Sequence, residues 1–155
     1  MSMFVVNARL DLKTLFKNLV ISLGTGIIAS LIISDAVAQY SQMAKPAFAP
    51  PAFLFPVVWT ILYLFMGIAA YIVEINGCRQ ILNLYYLHLV VNFLWPILFF
   101  VVEAPFLALI DLLVLIILVL TLTIGFGKCK AATLFFMIPY LLWCLFAFWL
   151  NLNLL

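Results

Sequence analysis

The side chains that could do chemistry in this sequence sit inside long apolar runs. His88 and Asn92 fall one turn apart in the run 81–102, Asp111 lies near the start of the run 105–126, and Trp59, Tyr63, Trp95, Tyr140 and Trp143 recur at helical spacing. A polar or ionisable group inside hydrocarbon is expensive, so such residues point into a bundle or a cavity. Trp and Tyr rings supply flat stacking surfaces, each with one polar handle. This set suits recognition of a flat, largely apolar molecule. Ordinary hydrolytic or transfer chemistry is not supported, because the sequence shows no paired carboxylates, no nucleophile with an adjacent base and no metal-ligand spacing. Asp111, about one to two turns from its span boundary, reads as a capping or helix-bridging group, and His88 as a hydrogen-bonded packing residue rather than a haem or metal ligand. Cys78, Cys129 and Cys144 show neither metal spacing nor a disulfide framework and read as small apolar residues.

The elements that must position these residues follow from composition. Hydrophobic residues make up 70% of the chain, charged residues 8%, and the mean hydropathy is +1.37. Soluble domains are roughly half apolar and about a quarter charged. The chain is therefore an all-α integral membrane protein. A span needs about 20 apolar residues, and the sequence offers five: about 14–38, 56–75, 81–102, 105–126 and 131–153. Almost nothing remains for a soluble domain, so residues 1–155 form a single membrane domain. The apolar run that opens the chain continues past the length of a signal peptide, and no cleavage site is convincing. A net charge of +2 without a basic run excludes nucleic acid as a partner.

Between the first two spans lies the proline-rich loop 39–55. Pro46, Pro50, Pro51 and Pro56 fall within eleven residues. Proline fixes φ, removes a donor and biases its predecessor toward extended backbone. Residues 45–55 are thus expected to be a stiff, non-helical crossing able to act as a lid. The first span carries Ser22, Gly24, Thr25, Gly26 and Ser30, small residues that let a neighbouring helix approach closely. The second places Trp59, Tyr63, Met66 and Ala70 on one face, the third Tyr85, His88, Asn92, Trp95 and Phe99, and the fifth Tyr140, Trp143, Ala147 and Asn151. Trp95-Pro96 and Pro139 are expected to kink their spans. The fourth span, after Asp111, is almost featureless and reads as lipid-facing or oligomer-facing.

Arg9, Lys13 and Lys17, then Arg79, then Lys128 and Lys130 fall on one side of a five-span topology, against Lys45 alone on the other. The positive-inside bias places the N-terminus in the cytoplasm and puts the loop and the C-terminus on the outer face. Four or six spans would scatter these charges. The aromatic and polar stripes of the second, third and fifth spans fit either a cavity lined for a flat ligand or ordinary bundle packing with the polar groups satisfied by neighbouring helices.

The motifs then carry a resemblance. Lys45-Pro46-x-Phe48-x-Pro50-Pro51, followed by Phe53-Leu54-Phe55-Pro56-x-x-Trp59-Thr60-x-Leu62-Tyr63 and Met66-Gly67, is similar to the first loop and second helix of the translocator protein family, also called tryptophan-rich sensory proteins or peripheral benzodiazepine receptors. Asn92-x-x-Trp95-Pro96 with Phe99-Phe100, Ala108-Leu109-x-Asp111, and Pro139-Tyr140-Leu141-x-Trp143 with Ala147 and Leu150-Asn151 match its later signatures in order and spacing. The resemblance implies a five-helix bundle, a homodimer, and a pocket under the first loop for porphyrins, sterol-like lipids or benzodiazepine-type drugs. It assigns ligand binding to Phe48, Pro51, Trp59, Tyr63, Asn92, Trp95, Trp143, Ala147 and Leu150. It implies no required cofactor and no metal, with porphyrin as ligand. It also implies, in some bacterial members, light-dependent porphyrin breakdown in which Trp59 and Trp143 would be the redox participants.

This chain departs from the family pattern at several points. Phe48 and Phe53 stand where tryptophan is usual, which keeps stacking surface in the lid and removes two oxidisable indoles. Val101 replaces a common glycine after Phe99-Phe100, and the C-terminus lacks the Tyr and Arg of the proposed cholesterol motif. A binding and sensing role is the expectation, porphyrin breakdown the alternative, and transport a third reading in which only Asp111, His88 and Asn92 could serve ions or protons.

Overall fold

The computed structural model describes residues 10–155, so Arg9, counted in the charge bias, lies outside the described residues. Five helices are long and apolar enough to cross a membrane. The first, α1 (Leu12–Ile32), starts at an Asp11 N-cap whose carboxylate accepts from the Thr14 N–H at 3.2 Å. It ends six residues earlier than hydropathy predicts. The Ile33 N–H closes on the Ala29 carbonyl, and after a turn a separate short helix, α2 (Ala36–Gln42), begins. The predicted loop 39–55 is therefore helical at its start, and only 43–53 crosses without helix.

The second span, α3 (Leu54–Ile75), takes in Pro56 within its first turn, where a missing N–H breaks no intrahelical bond. A glycine turn follows, with Gly77 at φ +84. The third span runs through a short 3-10 turn into α4 (Leu82–Pro96) and then five residues of π-helix, Ile97–Val101. The change of winding at Pro96 is the form the expected kink takes, since proline cannot complete the α-ladder. The fourth span, α5 (Pro105–Cys129), buries Ala108, Leu112, Leu115, Val119, Leu122 and Phe126 at alternating spacings of four and three. That seam packs against α4 and against the last span, α6 (Leu134–Leu152), while Ile110, Leu113, Ile117 and Leu120 are exposed on its other side.

The end of the bundle that carries α1's start and the α3–α4 and α5–α6 turns is fastened twice. Glu74 accepts from Lys17 Nζ at 2.6 Å and from Asn18 Nδ2 at 2.8 Å, with Arg79 Nε at 3.9 Å. Cys78 and Cys129 form a disulfide with Cα atoms 6.3 Å apart. This corrects the reading of the cysteines as incidental. Their separation of 51 residues carries no motif, but two spans of antiparallel topology bring the chain back to the same end. Cys144 is free and buried.

Asp111 does not make the expected helix-bridging hydrogen bond: its Oδ2 is buried without a partner among the described residues.

Candidate ligand cavity

At the opposite end, α1, α3, α4 and α6 separate beneath α2 and the loop to form a partly open cavity of about 220 Å³. Small residues make its α1 wall: Gly26, Ala29 and Ser30, then Ile33. The close approach expected of this face is made to α3. A Cβ at Gly26 would stand 2.5 Å from the Tyr63 ring, and the Ser22 hydroxyl donates to the Tyr63 carbonyl at 2.5 Å. α3 contributes Phe55, Pro56, Trp59 and Tyr63. Trp59 is the centre of an aromatic group, its ring centroid 5.8 Å from Tyr63, 6.2 Å from Trp95 and 6.3 Å from Tyr140. The π-helical turn presents both Phe99 and Phe100 to the cavity, which consecutive residues of a regular α-helix do poorly.

The polar groups around the cavity are largely committed to one another. Tyr63 donates its hydroxyl to Asn92 Oδ1, and Asn92 Nδ2 donates to the Tyr140 oxygen at 2.8 Å. Tyr140 also lies 3.0 Å from His88 Nε2, and His88 Nδ1 is 2.7 Å from the Tyr85 carbonyl. Trp95 Nε1 donates to Asn151 Oδ1 at 3.2 Å, and Asn151 Nδ2 donates to the Pro105 carbonyl, joining three spans. His88 is fully buried and hydrogen-bonded at both nitrogens, as its reading as a packing residue requires. The Trp59 N–H, by contrast, has no partner among the described residues and is not sealed off as the Trp143 N–H is.

The cover is held by Tyr40 of α2. Its hydroxyl donates to the Pro50 carbonyl at 3.0 Å, its ring packs edge-on to Phe55 at 4.8 Å, and Lys45 Nζ lies 4.7 Å from its centroid. Lys45 also donates to the Tyr40 and Ser41 carbonyls at the C-terminal end of α2, a favourable place for a cation.

Of the nine residues assigned from sequence, Trp59, Tyr63, Asn92, Trp95, Ala147 and Leu150 line this cavity. Phe48, Pro51 and Trp143 do not. Phe48 stacks on Trp149 with centroids 3.6 Å apart, and Pro51 is exposed, its carbonyl accepting from the Leu54 N–H at 3.0 Å. Trp143 lies in an outer groove between α3 and α6 with Phe65, Pro139 and Phe146, its ring centroid 5.9 Å from that of Phe55 on the cavity wall. Phe53, the other lid phenylalanine, is 66% exposed. Sequence reasoning missed Tyr40 and the α1 wall, because small residues and a tyrosine beyond the span give no aromatic stripe. Tyr140 and Asn151 were on the stripe of the fifth span, without the partners that give them a role.

The sequence model of the TspO/MBR family matches residues 18–155. The chain belongs to the TspO/MBR family. Among its relatives, the "Tryptophan-rich protein TspO" of Archaeoglobus fulgidus is 35% identical over 92% of this chain and 95% of its own length. The human "Translocator protein" is 30% identical, covering 84% of this chain and 80% of the relative. The "Tryptophan-rich sensory protein" of Cereibacter sphaeroides is 31% identical over 72% of each. TspO/MBR membership agrees with the five apolar helices: the chain is an integral, multi-pass membrane protein, and a membrane role in ligand binding follows in general terms.

Proposed function

We propose that the chain is a membrane receptor for a porphyrin or a similar flat apolar ligand, such as a sterol-like lipid or a benzodiazepine-type drug, held in the cavity under α2 and the proline-rich loop. The observation that carries this reading is the Trp59, Tyr63 and Trp95 group, whose rings wall the cavity, the Trp59 N–H having no partner among the described residues. Flat aromatic faces take a flat ligand at little entropic cost. Most other polar groups there are already paired, so the ligand meets an apolar surface with few handles. Ligand pockets commonly enclose about 300–1,000 Å³, more than the 220 Å³ found here. A tetrapyrrole therefore enters by lifting the cover, and Tyr40 is the contact it must loosen.

The orientation follows from charge. Lys13, Lys17, Arg79, Lys128 and Lys130 gather at the fastened end, and the positive-inside bias supports an orientation with that end in the cytoplasm and the cavity toward the outer face. The test of the function is a titration of the protein in lipid nanodiscs with protoporphyrin IX, following tryptophan fluorescence. Saturable quenching at one ligand per chain is expected. Quenching that rises without saturation, as for simple partition into lipid, contradicts the reading.

A further inference from the structure

Tyr63, Asn92, Tyr140, His88 and the Tyr85 carbonyl form an unbroken hydrogen-bond chain from the cavity wall to the backbone of α4. Its sense is fixed at the inner end. A carbonyl oxygen only accepts, so His88 Nδ1, 2.7 Å from it, carries the ring proton. The Nε2 of that neutral ring is then an acceptor, and the Tyr140 hydroxyl at 3.0 Å donates to it. With its one proton so placed, the Tyr140 oxygen can only accept from Asn92, at 2.8 Å. This turns the Asn92 amide nitrogen toward Tyr140 and its oxygen toward Tyr63, whose hydroxyl must donate to it. The opposite sense would set two lone pairs against each other at the Tyr85 carbonyl. All four groups are buried, so water does not relieve a mismatch.

We propose that His88 is a positioning residue for the ligand cavity. Through Tyr140 it holds the Asn92 amide so that the Tyr63 proton is turned inward, and the donors left for a ligand at the aromatic wall are the Trp59 N–H and the second Asn92 N–H, while the Ser30 and Ser34 hydroxyls lie on the exposed rim at the end of α1. The cavity therefore selects flat ligands whose polar group is an acceptor over those whose polar group is a donor. This inference rests on the cavity being the ligand site. His88 itself never touches the ligand.

Two measurements test it. His88 is the only histidine of the chain, so ¹⁵N-histidine labelling gives one imidazole signal set. A ring protonated at Nδ1 alone is expected, with the Nε2 resonance moving in Tyr140→Phe. A proton on Nε2 overturns the proposal. The second measurement compares three flat tricycles: fluorenone with an acceptor, carbazole with an N–H donor, and fluorene with neither. Wild type is expected to bind fluorenone more tightly than carbazole by about fivefold or more, the scale of one net hydrogen bond. In Tyr140→Phe and His88→Phe, which free Asn92 to turn but leave the Trp59 N–H in place, that ratio falls by about twofold or more while fluorene affinity changes less than about twofold, within the uncertainty of one weak contact. An unchanged ratio in Tyr140→Phe overturns the role of His88 alone. Parallel loss of all three ligands makes the chain merely structural and also overturns it. Failure of wild type to bind fluorene removes the cavity reading and this inference with it.

Discussion

The Tyr63 ring lies over Gly26 so closely that a methyl group at residue 26 would stand 2.5 Å from two of its ring carbons. The contact sets where α3 sits against α1, and it holds the Tyr63 hydroxyl on Asn92. Gly26→Ala should push the ring aside, costing about 1–3 kcal/mol as overpacking does. Gly24, with nothing within 4 Å of an added Cβ, is the matched control. Thermal unfolding in detergent and protoporphyrin affinity should both fall in Gly26→Ala and stay near wild type in Gly24→Ala. Equal behaviour of the two variants would show that the approach is not tight.

Tyr40 fastens the cover to the loop through one hydrogen bond to Pro50. Tyr40→Phe keeps the packing on Phe55 and removes that bond, worth roughly 0.5–1.5 kcal/mol. Ligand association and dissociation measured by stopped-flow quenching should both quicken, by about two- to tenfold. Unchanged rates would place the entry path elsewhere.

The five spans, their order and the gathering of positive charge at one end were legible in the sequence because hydrocarbon imposes length and apolarity on every crossing segment. The six cavity residues found from motifs share a simple signal, bulky or polar groups at helical spacing. Trp143 shares the spacing with Ala147 yet enters another groove, since a helical stripe is broad and α3 divides it. The α1 wall was illegible as a binding surface: Gly26, Ala29 and Ser30 mark close packing, and whether the neighbour is a helix or a cavity depends on how α1 crosses α3. Nor does spacing pair Cys78 with Cys129, since only the return of the chain after two spans brings them together.

The disulfide joins the α3–α4 turn to the end of α5. Closing a long loop typically stabilises by about 2–4 kcal/mol, so reduction or Cys78→Ser should lower the unfolding temperature by roughly 5–10 °C. Alkylation under native, non-reducing conditions should modify none of the three cysteines, since Cys144 is buried. Labelling of Cys78 without reductant would show the pair to be open.

Glu74 holds Lys17 and Asn18 from a nearly buried position. Glu74→Ala leaves the Asn18 amide with only the Thr14 carbonyl as partner. Because Lys17 is half exposed and can turn to solvent, the expected cost is about 1–2 kcal/mol, less than that of breaking a fully buried pair. Unfolding temperature reports it, and ligand affinity at the other end of the bundle should not change.

Whether Trp59 holds the ligand is decided most directly by comparing Trp59→Ala with Trp143→Ala in the protoporphyrin titration. Trp59 is the centre of the cavity's aromatic group, and Trp143 lies outside it behind Phe55. Loss of a central aromatic anchor costs about 2 kcal/mol or more. Trp59→Ala should therefore weaken binding by about thirtyfold or more, and Trp143→Ala by only a few-fold. Equal losses in both, or none in Trp59→Ala, would contradict a ligand site in this cavity.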